Sequence, residues 1–204
     1  MKISLFIIGC VASGFLAGLS GNLFGWEVPT RLLDLTILVI LVVLVFAVGL
    51  DLGARGDAWG RIGSLGPRLL AIPVVSALGS LGGVASVAAF VWRYPVRQAC
   101  ALGSAFGWYS LSGPLLTALA GPEVGAVAFL SDVMRELTAL VMIPLVARFV
   151  GSPEAVALGG ATTMDTTLPV LARATDGEAT PLAFAHGVVL AVVAPVLIPF
   201  WFSF

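Results

Sequence analysis

Three short polar stretches stand out in a chain that is otherwise almost hydrocarbon. The first is "LGGATTMDTTLPV", residues 158–170, where Asp165 sits among Thr163, Thr166 and Thr167. A carboxyl held in apolar surroundings can load and release a proton, or meet a cationic group of a solute. The plainer reading is a cap, with Asp165 or Thr163 closing the start of a short helix through Pro169. The second stretch is "SDVMRELT", residues 131–138. Asp132 and Glu136 are four apart and share a helical face, and Arg135 is three from Asp132. That spacing allows an Asp–Arg pair that neutralises itself, or a second ion site if one carboxylate stays unpaired. The third is "GWYSLSGP", residues 107–114, which places Tyr109, Ser110 and Ser112 between glycines. Their hydroxyls can ligate a solute. Alternatively, Ser110 or Ser112 with the lone His186 offers the parts of an intramembrane serine protease.

Composition decides what kind of molecule must carry these groups. Of 204 residues, 59% are hydrophobic and 10% are charged, and the net charge is −1. An ordinary soluble domain is about a quarter charged, so a membrane protein is expected. No basic run is present to hold nucleic acid. Cys10 and Cys100 fit no metal or disulfide pattern, and one histidine makes a multi-ligand metal site a poor expectation. Neither metal nor organic cofactor is expected; the only implied small ion is a coupling proton or sodium. "MKISLFIIGC" loosely resembles a lipoprotein signal, but its apolar run is short, so it reads as the first membrane helix.

The elements follow from length. A spanning helix needs about 20 mainly apolar residues. Residues 3–24, 35–53, 69–92, 124–150 and 181–204 qualify, although 124–150 carries the Asp132–Glu136 group. Two more stretches, 98–120 and 155–172, are long enough but interrupted by the first and third polar motifs. The expected fold is therefore all-α: a polytopic helix bundle with about five spanning helices and two broken or re-entrant segments. Arg55, Arg61 and Arg68 crowd the loop after the second helix, which makes that loop cytoplasmic by charge. Arg93 and Arg97 then fall outside, against the same rule. Asn22 and Asp51 sit near helix ends and read as interfacial.

An internal repeat organises the second half. At an offset of 55, residues 114–144 match 169–199 at ten of thirty-one positions, including Pro114/Pro169, Glu123/Glu178, Ala128/Ala183, Phe129/Phe184, Ile143/Ile198 and Pro144/Pro199. Each unit reads as a broken segment, a short acidic loop and a full helix. With one crossing per unit, successive copies point in opposite directions, a common plan among secondary transporters. The chain reads as one transmembrane transporter domain over 1–204: three N-terminal helices in 1–95, repeat unit one in 98–150 and repeat unit two in 155–204. Broken segments at matching places would present free backbone N–H and C=O groups at mid-membrane depth, where only a cavity or surrounding protein permits them.

The motifs "GSAFGWYSLSGPLLT", "FLSDVMRELTALVMIPL" and "GGATTMDTTLPVL", followed by "AHGVVLAVVAPVLIPF", resemble the LysO-type lysine exporter family. The resemblance runs from about Ile7 to the C-terminus. It implies an inner-membrane, multi-pass exporter of L-lysine and its analogues in a bacterium or archaeon, driven by an ion gradient. It implies that Asp165 is the family's intramembrane acidic residue in this half, and that Tyr109, Ser110, Ser112, Asp132, Arg135 and Glu136 lie in its signature segments. Members of that family often carry a further N-terminal membrane block, so a homodimer or a small partner subunit supplying that block is expected beside the lipid. The expectation is a transporter rather than an enzyme, working by antiport. A passive channel, a subunit inactive alone and the serine protease are the rival readings.

Overall fold

A computed structural model of the chain describes residues 68–92, 95–175 and 179–203, with isolated positions between 13 and 54. The chain divides into two units, Met1–Val39 and Ile40–Phe204, and every element below belongs to the second. The expected spans at 3–24 and 35–53 as continuous helices, together with Cys10, Asn22, Asp51, Arg55, Arg61, Arg93 and Glu178, lie outside the described residues.

All described elements are helical. Helix α1 (Arg68–Val87) runs into one π-helical turn, Ala88–Trp92, and ends before Pro95. Proline disfavours helix in the residue before it, so the chain must restart there. Helix α2 (Val96–Gly103) stops a few residues before the expected interruption, and α3 (Tyr109–Ala120) resumes inside it. Gly121, at φ 96°, turns the chain into α4 (Pro122–Phe149), whose first turn holds Pro122 and Glu123 and whose last turn holds Arg148. Proline at the first helical position, acid at the start and base at the end all suit the helix dipole. Helix α5 (Ser152–Gly159) leads into a 3₁₀ turn, Gly160–Met164, and α6 (Leu168–Ala174) follows it. Helix α7 (Thr180–Phe200) completes the fold. The boundaries expected at 69–92, 124–150 and 181–204 agree with these helices to within a few residues. The second break falls inside its motif, whereas the first lies at 104–108, ahead of most of "GWYSLSGP", because residues 109–114 accept the helical turn of α3.

Ala71–Val91 and Thr180–Phe200 are long and apolar enough to cross a membrane. Helix α4 is longer, roughly 42 Å at the helical rise, and its interruption by charge is what sets it apart. The outward faces are apolar: Val75, Leu78 and Phe90, Leu130, Met134 and Val141 on α4, and Val192 and Val196 on α7 are all exposed. In water such a surface would drive aggregation, whereas lipid tails cover it without penalty.

Packing inside the second unit falls into two clusters. One joins Leu116, Val124 and Ala128 of α3 and α4 to Ala194 and Ile198 of α7, with Ala101 and Phe106 of the first broken segment. The other joins Leu171 and Ala183 of α6 and α7 to Ala139 and Ile143 of α4, with Ala155 and Val156 of α5. In the second cluster α5 and α6 therefore both lie against the Ile143 end of α4, so residues 152–174 fold back on themselves around the 3₁₀ turn. In the first, residues from both sides of the break at 104–108 meet the Ile198 end of α7.

Candidate functional site

The two breaks meet tip to tip. The N–H of Ala161 donates to the carbonyl of Phe106 at 2.9 Å. Phe106 holds φ 54° and Gly107 φ 93°, and Gly160 holds φ 61°. A left-handed Phe is strained, which such a site tolerates only when its surroundings fix it. Here Phe106 is fully buried, and its carbonyl is committed to the other segment. A β-carbon on Gly160 would strike that same carbonyl oxygen. Glycine is the residue that satisfies both the backbone angle and the approach.

Each tip is tied down by side chains from neighbouring helices. Asp132, 4% exposed, accepts the N–H of Gly107 on Oδ1 at 3.1 Å and the hydroxyl of Ser112 on Oδ2. The carboxylate thus closes the first break from α4. At the second break the hydroxyl of Thr162 donates to Gly159 O at 2.7 Å and lies 3.2 Å from that of Thr167. Thr163 donates to Gly160 O at 2.8 Å and lies 3.0 Å from His186 Nδ1. The hydroxyl has one proton, and Gly160 takes it, so the Thr163 oxygen accepts from His186 Nδ1–H. His186 is fully buried, and its Nε2 has no hydrogen-bond partner among the described residues. Gly187, next to it, lets α7 approach so closely that a β-carbon there would lie 2.8 Å from both Ala161 O and Thr163 Oγ1.

Arg135 passes between the tips. A β-carbon on Gly107 would lie 3.7 Å from its Cδ, and one on Gly160 would lie 3.0 Å from its Nη2. Its Nη1 donates to Ser80 Oγ at 3.0 Å, and Ser80 in turn donates to Gly103 O at 2.9 Å. No carboxylate among the described residues comes within ion-pair distance of it. Asp132 and Arg135 feel each other's charge but do not close into the expected ion pair, because the Asp132 oxygens are held by Gly107 and Ser112.

Asp165 lies at the end of the 3₁₀ turn with its carboxylate exposed. It does not cap α6. Its Oδ1 accepts from the N–H of Thr166 at 2.6 Å, while Thr167 stands at the N-cap position and makes no side-chain capping bond. Thr163 caps no helix either, being bonded to His186. Tyr109, edge-on to Phe129 at 5.6 Å between ring centres, lies within electrostatic reach of both Glu136 and Asp165. The structure therefore sorts the ten candidates. Ser112, Asp132, Arg135, Thr163 and Thr167 build the crossing, and Tyr109, Glu136 and Asp165 form a looser group. Ser110 and Thr166 are exposed on the chain surface. Since Ser112 is bonded to Asp132 and His186 to Thr163, neither forms the serine–histidine pair a protease requires. Ser80, Thr162 and Phe106 belong to the crossing but carried no sequence signal beyond a hydroxyl on a small-residue helix or a place inside a break. Trp201, whose Nε1 donates to Ser104 Oγ at 2.9 Å, had none.

The family model for the lysine exporter LysO matches residues 8–202, the whole of this architecture. The chain belongs to that family. It is 41% identical to Lysine exporter LysO of Escherichia coli over 199 residues, or 97% of this chain. It spans only 64% of that relative's length. A protein of Haemophilus influenzae, provisionally described as a lysine exporter, is 38% identical over 82% of this chain and 84% of its own. No solved structure matches. The lysine exporter family is one of membrane transporters and not of enzymes, which retires the protease reading.

Proposed function

We propose that this chain forms the membrane block of a secondary transporter that exports L-lysine or a related basic amino acid, by antiport with protons or sodium, through a multi-pass fold in a bacterial or archaeal inner membrane. The observation that carries this reading is the contact between Phe106 and Ala161. Those residues are 55 apart, the same offset that relates the two sequence repeats. The packing clusters obey it too. Adding 55 to Leu116 and Ala128, or subtracting it from Ala194 and Ile198, turns the first cluster into Leu171, Ala183, Ala139 and Ile143 of the second. A pseudo-twofold axis through the tip contact accounts for this exchange. It makes residues 98–150 and 155–204 inverted copies whose hairpins enter from opposite faces. Such a pair can rock about a fixed central site, the usual basis of alternating access.

The chemistry of that centre suits a cationic amino acid. The exposed hydroxyls of Ser110 and Thr166 beside the breaks receive the carboxylate end, and Asp165, with Glu136 and Tyr109 nearby, meets an ammonium or exchanges a proton for it. A negative-inside potential opposes exit of a monocation by about 2.3 kcal/mol per 100 mV. An entering proton or sodium offsets that work. The test is counterflow of radiolabelled lysine in proteoliposomes, with and without an imposed pH gradient, comparing wild type with Asp165→Asn. Uptake that needs Asp165 and follows the gradient supports the proposal. Gradient-insensitive flux far above carrier turnover would instead make the chain a channel. No uptake from folded protein points to a missing partner subunit.

A further inference from the structure

Between α1, α4 and α5 lies a cavity of about 530 Å³, lined by Val75, Ser76 and Ser80, by Ser131 and Arg135, and by Glu154 among others. Two features make it more than a lipid crevice. At one end stands Arg135, half-buried, donating to one serine; it feels the charge of Asp132 but forms no ion pair with a carboxylate among the described residues. A guanidinium partly withdrawn from water, with no anion in direct contact, gains when one is supplied. Its planar fork matches a carboxylate in two parallel hydrogen bonds. At the other end Glu154 folds its carboxylate back over Gly151, at the start of α5. Glu154 carried no signal in the sequence beyond its place in an acidic first turn.

The spacing between the two ends is set by α5. Gly151 precedes Gly160, where the guanidinium lies, by nine residues, or roughly 13 Å at the helical rise. An extended lysine measures about 7 Å from carboxylate carbon to side-chain nitrogen. A hydrogen bond of about 3 Å at each end brings the total to the same span. The serine hydroxyls between the ends can accept from an α-ammonium. We infer that this cavity binds a basic amino acid lengthwise, its α-carboxylate on Arg135 and its terminal ammonium on Glu154, with four methylenes along the Val75 wall. The inference deepens the transport reading and rests on it. It names a recognition pocket distinct from the Asp165 group, and it makes both a free carboxylate and a distal positive charge requirements for binding.

The experiment is competition against radiolabelled lysine on the purified 204-residue chain, using lysinamide, which lacks the carboxylate, and norleucine, which lacks the distal charge. In wild type each should compete at least about tenfold less well than lysine, the worth of one charge-assisted contact. Arg135→Gln should erase the difference between lysine and lysinamide, and Arg135→Lys should keep part of it. A purely structural role for Arg135 would weaken all competitors together and leave their ratio unchanged, which overturns the assignment. Glu154 is exposed, so Glu154→Gln should fold, and it should narrow the gap between lysine and norleucine by about threefold, as expected of a solvent-screened pair. If Arg135→Gln cannot be purified, an unchanged norleucine gap in Glu154→Gln overturns the pocket by itself. Equal competition by lysine and lysinamide in wild type also overturns the pocket and leaves the transport reading standing. Absence of lysine binding in wild type overturns both.

Discussion

At the residue scale, the two aspartates of the signature motifs do different work. Asp132 is structural: its two oxygens hold the Gly107 N–H and the Ser112 hydroxyl, and a methyl in its place strands both. Asp132→Ala should therefore lower stability by about 2 kcal/mol, with Ser112→Ala costing less, because membrane hydrogen bonds average below their nominal worth. Thermal unfolding in detergent reads this directly. Asp165 is bonded only to its neighbour Thr166, so Asp165→Asn should leave the unfolding midpoint unchanged while abolishing lysine counterflow. A midpoint that falls as far as that of Asp132→Ala would make Asp165 a structural residue. Thr163 bridges Gly160 and His186, and valine has the same shape without the hydroxyl. Thr163→Val should cost about 1–2 kcal/mol, since it orphans a buried imidazole N–H.

At the element scale, the breaks are the design feature, and their geometry is enforced by glycine. Gly160 combines φ 61° with an approach to Phe106 O that no side chain permits. Gly160→Ala should lose at least about 2 kcal/mol, from the left-handed backbone and the displaced Ala161–Phe106 hydrogen bond together. Gly187→Ala presses α7 off the 3₁₀ turn from the other side, and should impair folding without touching any ionisable group. The breaks were legible in the sequence because glycines, hydroxyls and prolines interrupt runs otherwise long enough to span. Their contact was not. A hydrogen bond between residues 55 apart depends on how two hairpins are docked, and no local propensity encodes docking.

At the scale of the whole molecule, the proposed inverted arrangement predicts which positions share a face of the membrane. In a background lacking both native cysteines, Gly121→Cys and Ser203→Cys should react with an impermeant maleimide from one side. Ser152→Cys should react from the opposite side. Labelling of all three from one side would dismantle the inverted repeat and the rocking mechanism with it, while leaving family membership untouched.

By itself the sequence determined the apolar surroundings, the three long helices within 68–203, the fact that two further segments are interrupted, and the 55-residue period. Each of these is written in short-range composition: apolar length, glycine and proline placement, and identities along one chain. What the tertiary structure alone decided is which polar group meets which. Asp132 stands three residues from Arg135 on one helix, as a self-neutralising pair would, yet it bonds Gly107 and Ser112 and leaves Arg135 facing a cavity. Asp165 was readable as an ion site or, more plainly, as a helix cap, and the cap fails because Thr167 occupies that position. His186 finds Thr163 and Arg135 finds Ser80, across 23 and 55 residues. A side chain's partner is whatever packing brings to it, and the close approach of hairpin tips through Gly160 and Gly187 settles that only when the helices are in place.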